Sequence, residues 1–100
     1  MISNIFHIGY ILALMEINSL TKILKEKLTK KIQISNIKIE DKSFLHHKHK
    51  SFDKEKFHIK LTIESPELKK ISSIEANRKI YNILKNEINN NIHSLQITIL

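Results

Sequence analysis

At 100 residues, 41% hydrophobic and 27% charged, the chain has the composition of one globular domain, not of a disordered or fibrous polypeptide. It has no cysteine, which excludes disulfides, thiolate metal sites and cysteine nucleophiles together; one Gly and one Pro exclude collagen-like chains and Gly-rich phosphate cradles. The formal charge is +7, and it is unevenly placed: residues 17–60 carry twelve Lys against five acids, while residues 1–16 carry only Glu16.

Such a one-sided field steers a domain toward nucleic acid, an anionic membrane or an acidic partner. However, sixteen of the seventeen basic residues are Lys, in a chain rich in Ile, Lys and Asn, so compositional bias accounts for the charge more simply. Base reading would favour Arg, and six aromatics without Trp leave little surface for base stacking.

Met1–Leu14 is apolar and uncharged apart from His7. It lacks the positive start and small-residue cleavage site of a secretory signal and is too short to span a bilayer, so a cytoplasmic protein without membrane attachment is expected. Residues 1–15 are expected to form an N-terminal extension, disordered or outside a domain of residues 16–100. The other reading is an extra apolar strand or helix packed on the core or on a partner.

Ser19 has the chemistry of an N-cap, and Leu20, Ile23, Leu24 and Leu28 follow at helical spacing, which predicts an amphipathic helix over 19–31. Ile32, Ile34, Ile37 and Ile39 read as an extended β-branched stretch, with a strand over 35–41. Residues 42–56 are Lys- and His-rich without apolar period and read as a long loop. Phe57, Ile59, Leu61 and Ile63 then alternate with His58, Lys60, Thr62 and Glu64, a half-buried strand ended by Pro66.

Pro66 can open a short helical turn through Ile71, and Ser72-Ser73-Ile74-Glu75 has the form of a capping box. Behind it Ile74, Ile80, Tyr81, Leu84 and Ile88 predict a core-facing helix to residue 88, broken by Asn89-Asn90-Asn91 through left-handed backbone. Residues 92–100 close the chain as a strand, with Leu95, Ile97 and Ile99 on one face and Ser94, Gln96 and Thr98 on the other. The order is helix, strand, strand, short helix, helix, strand: a single α+β domain.

Only the histidines stand out as chemistry-bearing groups. His46, His47 and His49 fall in the long loop, His58 on the polar face of the second strand and His93 at the start of the last. Imidazole suits zinc, copper, iron and nickel. Solvated loop histidines and a structural strand histidine are the plainer reading, and two nitrogen donors are too few for a closed zinc site. No nucleophile turn or recognisable acid–base pair is present, so an enzyme is not expected.

At these residues the chain resembles the BolA-like family. Asp41-Lys42-Ser43-Phe44-Leu45-His46 is similar to the family's D-E-S-x-x-H loop, and Phe57-His58-Ile59 through Ser65 to its T/S-H-F strand ending in V-S. Arg78-Lys79-Ile80-Tyr81 resembles the end of the R-H-R-x-(I/V)-Y segment, and Ile92-His93-Ser94-Leu95 the closing I-H-A-L. The likeness runs over residues 19–100. It departs at Leu68-Lys69-Lys70, where the family has F-x-G, and at Ala76 and Asn77, which take two of the R-H-R positions. The G-x-x-G of RNA-clamping KH domains is missing.

The resemblance implies an α-β-β-α-α-β, class II KH-like fold and a non-enzymatic partner of monothiol glutaredoxins, a monomer alone and a heterodimer with glutaredoxin. In such pairs a 2Fe–2S cluster is shared with glutaredoxin and glutathione, and none is expected in the isolated protein. The metal ligands implied are His93 and His46, with His47 and His49 as alternatives, while His58 supports them or the structure. Arg78 and Lys79 remain as contacts to a partner or to DNA, the latter through the alternative role of a DNA-binding transcriptional regulator.

Overall fold

The computed structural model of the chain describes residues 4–43 and 56–100, with side chains described over 17–43 and 56–100. In chain order the elements are α1 (Asn4–Lys31), β1 (Asn36–Asp41), β2 (Phe57–Glu64), α2 (Pro66–Lys69), α3 (Ser73–Ile83), α4 (Lys85–Asn90) and β3 (Ile92–Ile99). The strands form one sheet in the order β1-β2-β3, with β1 antiparallel and β3 parallel to the central β2. Among the described residues no helix is long and apolar enough to cross a membrane.

The first helix starts earlier than its sequence suggests. Ser19 lies inside α1 and caps nothing, because the residues before it (Leu12, Ala13, Leu14, Met15, Glu16) are themselves good helix formers and offer no interruption for a cap to exploit. Its buried row is Leu20, Leu24, Leu28 and Ile32, spaced strictly by four. Such a row winds slowly around a helix of 3.6 residues per turn, which leaves Ile23 on its trailing flank and 41% exposed. Ile32 closes the last turn through its N–H to Leu28 C=O at 2.9 Å, so the extended stretch begins after it.

The alternation of β2 holds throughout. Ile59, Leu61 and Ile63 are buried against the helices, and Leu61 sits in register with Ile39 on one side and Ile97 on the other. Ser65 then does two things at once: its Oγ accepts from Leu68 N–H (3.2 Å) to cap α2, with Pro66 in the first turn, and donates to Gln33 C=O (2.7 Å). That second bond ties the α1–β1 connection to the end of β2. Ser72 caps α3 as expected, accepting from Glu75 N–H at 3.1 Å.

Three expectations for the C-terminal helix are corrected. The buried row of α3 is Ala76 and Ile80, continued by Leu84; Ile74, two residues before Ala76 and so on the far side of the helix, is 72% exposed, and Tyr81 also faces outward. The helix does not run unbroken to residue 88, because Leu84 (ψ 16°) leaves the α region before α4 begins. No Gly or Pro lies there, so packing sets the break: Leu84 stays in the core while α4 brings Glu87 onto Lys27 of α1. Finally, Asn91 ends α4 at φ −127°, and no non-Gly residue among those described takes positive φ.

Candidate functional site

The histidine end of the sheet is shaped by a β-bulge. Phe57 pairs with Ile92, but the next residue, His58, pairs with Ser94, so His93 is an extra residue in β3. Strict alternation would place His93 on the same face as Leu95, Ile97 and Ile99. The bulge reverses that: Ile92 is buried, His93 and Ser94 both point outward, and Leu95 turns inward again. The sequence signal is the spacing of three between Ile92 and Leu95 in a strand that otherwise alternates by two.

Freed in this way, the exposed His93 ring lies beside that of His58, with centroids 4.8 Å apart and planes tilted by 57°. The half-buried His58 is itself held, its Nδ1 hydrogen-bonded to Ser94 Oγ at 2.7 Å. The two residues after Ile92 therefore divide the work, one presenting an imidazole and the other fixing its neighbour.

The same strand end anchors the chain that carries the other histidines. Lys42 N–H donates to His58 C=O (2.7 Å), and His58 N–H donates to the buried Ser43 Oγ (2.9 Å). Asp41 Oδ1 accepts from Ser43 N–H (2.9 Å), a local turn that gives the D-x-S spacing its physical reason. On the return, Phe57 N–H donates to Asn91 C=O (2.9 Å). The chain thus leaves the described structure at Ser43 and re-enters it at Lys56, both beside His58. His46, His47 and His49 lie outside the described residues; His46 is three residues from Ser43 along the chain. Ser43 and Ser94 stand in the sequence motifs, but nothing local in sequence shows that both bond to His58.

Electrostatics divide the remaining candidates. Lys79 is tied to Glu67 by a 2.8 Å ion pair, whereas Arg78 is exposed. The hydrogen bond from Lys79, helped by Gln33 N–H, holds the Glu67 carboxyl below its ordinary range. Glu40 is lowered likewise by its hydrogen bond from Lys42, with Lys38 and Lys60 adding to it. Among the described residues no group of three or more His, Cys, Asp or Glu side chains is placed to hold a metal ion. A metal at His93 would therefore take further ligands from outside this set.

Residues 28–100 match the family of BolA-like proteins. The chain belongs to the BolA-like family. It is 32% identical over 79 residues to the DNA-binding transcriptional regulator BolA of Haemophilus influenzae, a match covering 79% of this chain and 74% of that protein. A BolA-like protein of Dictyostelium discoideum is 38% identical over 76 residues, covering 75% of this chain and 64% of its own length. Among solved structures, the BolA domain of SufE1 from Arabidopsis thaliana superposes with a TM-score of 0.64 at 32% identity, covering 76% of this chain and 84% of that one. The BolA-like fold, a single α+β domain, is thus the architecture that carries the His58–His93 pair.

Proposed function

We propose that this protein is a non-enzymatic adaptor that binds a monothiol glutaredoxin and shares its 2Fe–2S cluster. His93 would supply one imidazole to an iron and His46, or else His47 or His49, the second. The observation that carries the reading is the bulge, which lifts His93 out of the apolar face and leaves its ring exposed beside His58. The donor chemistry fits: a chain without cysteine has no thiolate to offer but six imidazoles, and a partner's thiolates would complete the set. Imidazole ligation of one iron raises a cluster's potential and requires the ring to be unprotonated. In this reading Ser94 fixes the His58 ring, and His58 packs on and orients His93. The adaptor would work in iron–sulfur trafficking or iron-linked stress regulation in the cytoplasm.

Adding the protein to a glutaredoxin with a reconstituted cluster is expected to change the cluster's visible circular dichroism. His93→Ala should remove that change while the far-UV spectrum stays that of the folded protein. If His93→Ala changes the visible spectrum just as the unmodified protein does, the ligand assignment is withdrawn.

The name of the Haemophilus relative supports a second reading, a DNA-binding regulator that uses the Lys-rich residues 17–60 with Arg78. Fluorescence anisotropy on duplex DNA separates the two. A regulator keeps a preferred sequence near physiological salt, whereas charge alone gives sequence-blind binding that falls steeply as salt rises.

A further inference from the structure

The two edges of the sheet are defended very differently. β1 carries Lys38, Glu40 and Asp41, with Glu40 paired to Lys42 at 2.9 Å. β3 carries no charge: from Asn89 to Leu100 there is no Asp, Glu, Lys or Arg, in a chain that is 27% charged. Charged side chains are a principal means by which edge strands avoid pairing with other chains, and an uncharged edge rich in Ile and Thr lacks it.

The hydrogen bonding of β3 shows which groups are left open. Leu100 N–H donates to Ile63 C=O, so along the regular ladder the peptide groups of Ser94, Gln96 and Thr98 turn toward β2. Those of Leu95, Ile97 and Ile99 turn to the outer edge. Tyr81 Oη donates to Leu95 C=O at a long 3.4 Å, and among the described residues nothing pairs with Ile97 or Ile99 there. Beside this edge runs an open, part-polar groove between the sheet and α2–α3, where Leu68, Ile71, Ala76, Ile97 and Ile99 are joined by Lys69, Ser73 and Asn77.

We infer that β3 is an interface for a second copy of this chain, pairing antiparallel with the partner's β3 about a two-fold axis at Ile97. The strand is complementary to itself in that register. Ile97 meets its own copy, exchanging both N–H···O=C bonds, and Leu95 meets Ile99. Their side chains fall on one face, over the groove of each protomer, while Gln96 meets Thr98 on the other. The charge distribution favours a second copy: with net charge +7, most faces of two copies repel, whereas the pairing strand itself has no Asp, Glu, Lys or Arg, the nearest charge being Lys69 in the groove. The two three-stranded sheets become continuous, and His93, four residues from the axis, stays outside the paired segment. The dimer so formed would be weak and concentration-dependent, and the inference does not rest on cluster binding.

Amide hydrogen exchange and sedimentation velocity on the intact protein test it. Over about a hundredfold rise in concentration, exchange at Ile97 and Ile99 should slow by about tenfold, with a matching shift toward dimer. Ile97→Lys and Ile97→Glu, each checked for fold by far-UV circular dichroism, should be monomeric alone and associate when mixed, because like charges at the axis become opposite ones. Exchange independent of concentration would overturn the inference, as would a dimer indifferent to Ile97→Lys. Protection that arises only on adding a glutaredoxin would assign the edge to that partner instead. Should both variants misfold, wild-type exchange decides alone.

Discussion

Leu61→Ala is expected to destabilise the protein by about 3–5 kcal/mol, the upper part of the range for buried Leu truncations. Leu61 is fully buried at the middle of the central strand, flanked in register by Ile39 and Ile97, with the helices above. Neighbours fixed on both sides by the ladders have little freedom to collapse into the space, so most of the cavity persists. A domain of this size has roughly 5–15 kcal/mol of stability in total, and each kcal/mol moves the midpoint by about 4–8 °C. A fall of roughly 12–40 °C in Tm follows from those figures. Leu61→Met, which keeps the volume, should remain within about 1.5 kcal/mol of wild type, and Thr98→Ala on the exposed face within about 0.5 kcal/mol. Urea unfolding of the three variants measures the contrast. A Leu61→Ala loss no larger than that of Thr98→Ala would mean that β2 does not hold the centre of the core.

That contrast also shows where sequence is legible. In β2 the side-chain period of two is uninterrupted, so the apolar letters name the buried residues directly and register follows. Ser65, Pro66 and Ser72 are equally plain, because capping depends on a hydroxyl or a fixed φ at one position. α1 is harder. Nothing in Ser19 itself says whether a helix begins there or passes through, since the answer depends on residues upstream that are also helix formers.

The site shows the same limit. His93 can be marked as chemistry-bearing from its type alone, but its outward direction depends on one inserted residue, visible only as the three-residue gap between Ile92 and Leu95. His58 could be placed on the polar face by alternation, whereas its contact with His93 needs the parallel pairing of β2 with β3, which is not local in sequence. Periodicity carries the order of elements, whereas the site lies in a departure from it.

Non-local pairing also sets the remaining large effect, at the junction of α1 and α4. Lys27 Nζ donates to both carboxylate oxygens of Glu87, at 2.9 and 2.7 Å, across 60 residues of sequence. The burial is lopsided: the Glu87 side chain is 11% exposed and that of Lys27 37%. Lys27→Met should therefore do more harm than a surface ion pair warrants, because it leaves a nearly buried carboxylate without its cation. Exposed pairs contribute about 0–1 kcal/mol and broken buried pairs cost about 3–5, so an intermediate loss of about 1–3 kcal/mol is expected. Lys27→Met combined with Glu87→Leu removes the stranded charge and puts an apolar group in its place. The double variant should then be more stable than Lys27→Met alone, a sign reversal that additive losses do not produce. Four unfolding curves complete the cycle, and a double variant whose loss equals the sum of the two single losses would show that the side chains act independently.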